Sequence, residues 1–197
     1  MKRWPVIYLD PPWNWLSRSA KGMGRSPKYP KLDVPEMMKL PIRELACKES
    51  VLLMWATMPF LGQAIALGEA WGFTHKTTAF TWVKSTKQAA RLKLPVEDQR
   101  NFANGNGYWT MANPEICLLF TTKRFPKRKA KDVHQLIVAP RERHSKKPDV
   151  CYERIERLLG GDKLEIFARQ RRPGWDAMGN EISGLDIREE IARHLAA

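Results

Sequence analysis

Val6-Ile7-Tyr8-Leu9-Asp10-Pro11-Pro12-Trp13 (residues 6–13, VIYLDPPW) decides how this chain folds. Four apolar residues of the kind favoured in sheets predict a short buried strand over 6–9. Asp10-Pro11-Pro12 must end it, because each proline lacks an N–H donor and fixes φ. A tryptophan is a costly residue to leave on an ordinary turn. An acid followed by prolines at a strand end does, however, have a chemical use. The Asp10 carboxylate and the Pro11 carbonyl, aimed by rigid backbone, are two acceptors that fit the two N–H groups of an exocyclic aromatic amine. Holding both hydrogens turns the nitrogen lone pair toward an electrophile. Trp13 offers a flat face on which a base stacks, worth about 1–3 kcal/mol.

The surrounding pattern supports a strand-end site. VLLMWA over 51–56 is a continuous apolar run, as expected of a strand buried on both faces. Residues 77–83 (TTAFTWV), 115–121 (EICLLFT), 135–138 and 163–168 (KLEIFA) also read as strands. Helices are predicted over 35–39, capped by Asp33, over 59–71, from Pro148-Asp149 to Leu159, and over 185–195. Residues 14–32 and 84–107 read as loops. Alternating strands and helices indicate an α/β fold, a mainly parallel central sheet flanked by helices. Ligands of such sheets bind beyond the carboxyl ends of the strands, where Asp10 and Arg169 both fall. No internal repeat or linker interrupts the pattern, so one domain over 1–197 is expected.

Composition narrows the partners. The chain has 197 residues and a net charge of +13, an excess that favours polyanions through phosphate contacts and counterion release. The charge is segregated. Residues 14–31 carry Arg18, Lys21, Arg25, Lys28 and Lys31 with no acid, and residues 121–131 carry Lys123, Arg124, Lys127, Arg128, Lys129 and Lys131 with no acid. Both stretches are expected to grip backbone phosphates of DNA or RNA. No run approaches the roughly 18 apolar residues of a membrane span, and no secretory leader opens the chain. Cys47, Cys117 and Cys151 are odd in number and far apart, as expected of reduced core thiols in a cytoplasmic protein. No Cys or His cluster suggests a metal.

On these residues the chain resembles the MT-A70 family of adenine-N6 methyltransferases, in a compact bacterial or phage form. Asp10-Pro11-Pro12-Trp13 resembles the family's catalytic motif. Phe80-Thr81-Trp82-Val83-Lys84 resembles the strand lining the acceptor pocket, and Gly107-Tyr108-Trp109 with Asn113-Pro114-Glu115-Ile116-Cys117-Leu118 the next one. The segment from His144 through Lys147-Pro148-Asp149, Leu164-Glu165-Ile166-Phe167-Ala168-Arg169 and Gly174-Trp175 to Gly179-Asn180-Glu181 resembles the cofactor-side half. The resemblance spans roughly 6–181.

It implies a Rossmann-like fold using S-adenosylmethionine (SAM), in permuted motif order, with the catalytic motif ahead of the cofactor strand. It implies Asp10, Pro11, Pro12 and Trp13 as catalytic residues. It places Lys147, Glu165, Arg169, Asn180 and Glu181 at cofactor-contact positions and Tyr29 near the acceptor base. Trp82 is a second stacking candidate and Lys84 lies at the same strand end. The expected reaction is methyl transfer to the N6 amine of adenine, in DNA by preference. RNA as substrate and a catalytically silent nucleic-acid-binding subunit are the alternatives, and a homodimer or a heteromeric partner is left open.

Overall fold

The computed structural model describes residues 1–13, 32–95, 97–107, 109–142 and 146–197. The expectations for Arg18, Lys21, Arg25 and Tyr29 fall outside the described residues, as do Tyr108 and His144. The chain runs β1 (Trp4–Leu9), α1 (Val34–Met38), α2 (Ile42–Leu45), β2 (Ala46–Ala56), α3 (Leu61–Ala70), β3 (Thr74–Ser85), α4 (Lys87–Leu92), β4 (Gly105–Asn106), β5 (Met111–Ala112) and β6 (Glu115–Thr121). It continues through β7 (Leu136–Pro140), α5 (Asp149–Leu158), β8 (Lys163–Ile166), β9 (Asp176–Met178), α6 (Asn180–Ser183) and α7 (Ile187–Ala196). Seven strands form one sheet in the order β7-β3-β6-β2-β1-β8-β9. The strand of the VIYLDPPW segment is therefore central, between β2 and β8 and parallel to both.

The sheet is mainly parallel, with one reversal. β3 runs parallel to β7 and β8 to β9, whereas β6 is antiparallel to both neighbours, β2 and β3. Alternation along each strand sorts residues onto two faces. Ile7, Leu9, Leu52, Met54, Leu118 and Phe120 pack in one cluster with buried residues of α1, α3 and α7. Val6, Tyr8, Val51, Leu53, Trp55 and Cys117 pack in the other with Cys151, Tyr152 and Ile155 of α5. Both faces of β2 are thus covered, which is why VLLMWA shows no polar alternation. Each such side chain contributes about 1.5–3 kcal/mol through burial.

Local signals acted as their chemistry requires. Asp33 caps α1 by accepting from the Glu36 N–H at 2.8 Å. Pro59 lies in a 3₁₀ turn, Met58–Phe60, and α3 begins only at Leu61. The stretch 84–107 departs from the loop expectation: Thr86 accepts from the Ala89 N–H at 3.0 Å and starts α4, and β4 pairs with β5 in a small hairpin. β9 was also unexpected. Cys117 and Cys151 are buried and Cys47 is partly so, all three free thiols. No helix among the described residues is long and apolar enough to cross a membrane.

Candidate active site at the carboxyl end of the central strand

Strand parity builds the site. Asp10 follows Tyr8 by two residues and so continues the α5 face of β1. Trp55 on β2, Glu115 on β6 and Lys84 on β3 continue the same face of their strands, because Leu53, Cys117, Phe80 and Trp82 below them all belong to that cluster. The reversal of β6 matters here. It brings the start of that strand, Glu115, to the end where β1, β2 and β3 finish.

Lys147 closes the arrangement from the segment entering α5. Its Nζ lies 2.8 Å from Asp10 Oδ2 and 2.9 Å from Glu115 Oε2. Lys84 Nζ takes the other Glu115 oxygen at 2.5 Å. Charges therefore alternate along a chain Asp10–Lys147–Glu115–Lys84. The Lys147 side chain is only 9% exposed and its ammonium sits 5.3 Å from the Trp55 ring centroid, a further cation–π attraction. Trp55 is itself fixed by donating from Nε1 to the Tyr8 hydroxyl at 2.6 Å. Asn113 braces the Lys84 backbone, accepting from its N–H at 3.1 Å and donating to its carbonyl at 2.9 Å.

Burial opposes charge on each of these groups, and the network decides which effect wins. Burial pushes the Asp10 carboxyl above its usual value; Lys147 pulls it back only in part, and Glu115 adds to the rise. Glu115 is buried too, but two lysines hold it below the usual carboxylate range. Burial would lower Lys147, yet Asp10 and Glu115 together hold it above the usual lysine range. Asp10 is not turned into the apolar interior: its side chain is 28% exposed, and Oδ1 accepts no hydrogen bond among the described residues.

The turn after Asp10 is rigid. The Trp13 N–H donates to the Pro11 carbonyl at 2.8 Å, closing a tight turn over Pro12 and leaving that carbonyl its second lone pair. Trp13 Nε1 donates to the Trp55 carbonyl at 3.1 Å, and the indole stacks on Phe60 at 5.5 Å between centroids. One indole face is thus covered.

On the other flank of β1 the backbones of Ala168 and Gly179 meet. The Ala168 N–H donates to the Met178 carbonyl at 2.9 Å, and a Cβ at Gly179 would lie 2.3 Å from the Ala168 carbonyl oxygen. Only glycine permits that approach. It sets Arg169 beside Asn180 and Glu181, with Arg169 Nε 3.7 Å from Glu181 Oε1. Arg169 also acts to lower the pKa of the Asp10 carboxyl.

Glu165 lies lower on β8, against α5. It accepts from the Tyr152 hydroxyl at 2.9 Å, and burial pushes its pKa up to about 7. Between the ordinary value of 4.5 and 7 the folded protein binds more protons here than the unfolded chain, so stability falls as pH rises through that window. Glu165→Gln should therefore raise Tm by about 2–5 °C at pH 8 and by less at pH 5. Equal gains at both pH values in a calorimetric scan would contradict this assignment.

One expectation is corrected. Trp82 is 3% exposed and donates from Nε1 to the Ala139 carbonyl at 2.9 Å. It packs edge-on to Trp55 and presents no open stacking face. Lys123, Arg124, Lys127 and Arg128 do not lie at this end of the sheet. They are exposed but follow the end of β6, where Thr121 is paired with Val51 and, through it, lies level with Val6 at the start of β1. The reversed strand carries them to the end of the sheet opposite Asp10, about 20 Å away at the usual rise per residue. Lys84, a substrate-binding candidate, is engaged with Glu115.

Sequence reading also missed residues. Glu115 was part of a quoted motif without a role, and Trp55 and Tyr8 were unassigned. The i, i+2 relation of Tyr8 to Asp10 was the available signal. Thr57, just after β2, keeps a buried hydroxyl with no hydrogen-bond partner among the described residues. No group of His, Cys, Asp and Glu among the described residues could hold a metal ion.

A mainly parallel sheet whose charged groups converge beyond the end of its central strand is a Rossmann-like arrangement. The chain belongs to the MT-A70 family, whose model matches residues 4–181. It is 32% identical over 200 residues to the type II methyltransferase M.MunI of a Mycoplasma species, covering 92% of this chain and 78% of that protein. It is 28% identical over 195 residues to the N(6)-adenosine-methyltransferase MT-A70-like protein of Arabidopsis thaliana, covering 95% of this chain and 25% of that one. It is also 28% identical to the N(6)-adenosine-methyltransferase catalytic subunit METTL3 of Homo sapiens, over 94% of this chain and 29% of that subunit. The chain thus spans most of M.MunI and under a third of the two plant and human enzymes.

Proposed function

We infer that this chain transfers a methyl group from SAM to the exocyclic N6 amine of adenine in nucleic acid. The single observation that carries the reading is the Asp10 carboxylate. It is fixed at a strand end by Lys147 through Oδ2, while Oδ1 accepts no hydrogen bond among the described residues and the Pro11 carbonyl, one residue on, keeps a second lone pair. Those two acceptors suit the two hydrogens of an aromatic amine.

The residues present fit SAM. Its zwitterionic amino-acid portion needs one cation and one anion close together, and Arg169 and Glu181 supply them. The Thr57 hydroxyl, without a partner among the described residues, is a further polar group buried near the strand ends. Lys147, Glu165 and Asn180 are the remaining proposed contacts. When bound, SAM supplies a methyl group on a sulfonium, which is electrophilic without metal assistance.

Asp10 and the Pro11 carbonyl then orient the amine, and this positioning accounts for much of the rate. Because the nitrogen attacks before it loses a proton, Asp10 needs to be ionised as an acceptor rather than tuned as a strong base. The proton leaves afterwards to Asp10 or water. Trp13, with one face on Phe60, offers its other face to the base. A duplex hides the amine in its stack, so the base must be flipped out or presented on a single strand.

Between the two nucleic acids DNA is proposed as the preferred substrate, with RNA as the alternative. Counting methyl groups transferred from labelled SAM to DNA and RNA pools tests both parts: transfer to DNA above RNA is expected, and transfer to neither contradicts an active enzyme. SAM binding without transfer would identify a silent subunit.

The ionisation requirement predicts the pH profile. With Asp10 raised above its ordinary value by burial, activity should fall toward acid on a limb centred above the value of a free aspartate. A limb at or below the value of a free aspartate would show that the Asp10 carboxylate is not the titrating group.

A further inference from the structure

The loop that leaves β6, Thr122 to Lys131, has no role in the site at the other end of the sheet. Its sequence is Thr122-Lys123-Arg124-Phe125-Pro126-Lys127-Arg128-Lys129-Ala130-Lys131. All six cations are exposed, and none has an ion-pair partner among the described residues. That sets them apart from Lys2, Lys146, Arg100, Arg157, Arg172, Arg188 and Arg193, each of which faces a carboxylate. Glu49 pairs with Arg124 through backbone alone.

The loop is nonetheless anchored. The Thr122 N–H donates to the Ser50 carbonyl at 3.0 Å, and the Ser50 N–H donates to Thr122 Oγ1 at 2.8 Å. Thr122 Oγ1 also donates to the Arg124 carbonyl. At the far end the Lys129 N–H donates to the Leu158 carbonyl at 2.8 Å, beside the Arg128–Leu159 bridge. Between these anchors Phe125 is 59% exposed. A single exposed aromatic is unremarkable by itself. One held between anchored cations that repel one another is a different matter. The unpaired charges call for an anion, and the ring calls for a flat partner.

We propose that this loop is a second nucleic-acid site, taking a single-stranded segment away from the reacting base. Phe125 stacks on an unpaired base and Lys123, Arg124, Lys127, Arg128, Lys129 and Lys131 bind the backbone phosphates. Stacking needs an unstacked base, which selects single strands over duplex; the cations alone do not discriminate. The site lies about 20 Å along the sheet from Asp10, so it holds long substrates without touching the chemistry. Its effect on turnover rests on the methyltransferase reading above; its binding does not.

The test uses the full chain, fluorescent oligonucleotides and no SAM. Phe125→Ala should weaken binding of a long single strand by about 5-fold or more and leave duplex binding unchanged. The quadruple variant K123A/R124A/K127A/R128A should weaken both and flatten the dependence of affinity on salt. In transfer assays the same variant should raise KM for a long single strand and leave kcat and KM for a short oligonucleotide unchanged. Equal losses for short and long strands, unchanged affinity in the quadruple variant, or an equal effect of Phe125→Ala on duplex would each overturn the site. Absent methyl transfer with these binding differences intact would refute the enzyme reading and leave the site standing.

Discussion

Asp10→Asn should lower kcat by about a thousand-fold or more, equivalent to about 4 kcal/mol of transition-state stabilisation, with SAM affinity changed only a few-fold. The substitution keeps the shape of the side chain. It removes the negative charge and replaces one acceptor by an NH₂ donor, which faces the amine hydrogens with the wrong polarity. Lys147 retains Glu115 at 2.9 Å, so the local fold should survive, and burying a neutral amide in place of a carboxylate relieves the desolvation that raises Asp10. The variant should therefore be at least as stable as the parent while inactive. Single-turnover transfer together with calorimetric SAM titration separates the two effects. A near-normal rate would remove Asp10 from the chemistry.

Lys147→Met should be damaging for a different reason. The lysine is the shared cation of two carboxylates, and removing one member of a buried charge group leaves the others uncompensated, at a cost of about 3–5 kcal/mol. Lys84 still attends Glu115, so Asp10 carries most of the loss. Lys147 lowers the Asp10 pKa in the intact protein; without it the carboxyl should rise further. The acid limb of the rate profile should move to higher pH, and kcat at neutral pH should fall about a hundred-fold from misplacement of the acceptor. The shift of the limb distinguishes an electrostatic positioning role from loss of fold. A variant that loses activity with the limb unmoved would make Lys147 a SAM contact alone.

Much of this was legible in the sequence, for identifiable reasons. Strands buried on both faces announce themselves as apolar runs, so β1, β2 and β6 could be read directly, while β8 showed itself by alternation. Asp10 could be placed at a strand end because two prolines cannot continue a ladder. Elements without an apolar signature were lost. α4 spans KQAARL, with little to bury, and rests on the Thr86 cap; β9 is three residues long and defined by its neighbour β8. The place of the basic loop relative to the site was hidden by strand direction. Charge composition marked 121–131 as a polyanion-binding loop, but nothing local to EICLLFT reveals that β6 runs against its neighbours. That single reversal carried the basic loop to the far end of the sheet and delivered Glu115 into the site. Trp82 failed for a related reason: its face is set by strand parity, and Phe80 and Trp82 share the covered one.

Enzymatic digestion of methylated DNA and RNA to nucleosides, followed by mass spectrometry, tests the central claim most directly. Two acceptors shaped for an adenine amine predict that the labelled methyl is recovered as N6-methyladenine and that Asp10→Asn abolishes it. Recovery of the methyl on a cytosine ring carbon, on a phosphate or sugar oxygen, or on N6 undiminished in that variant would contradict the account.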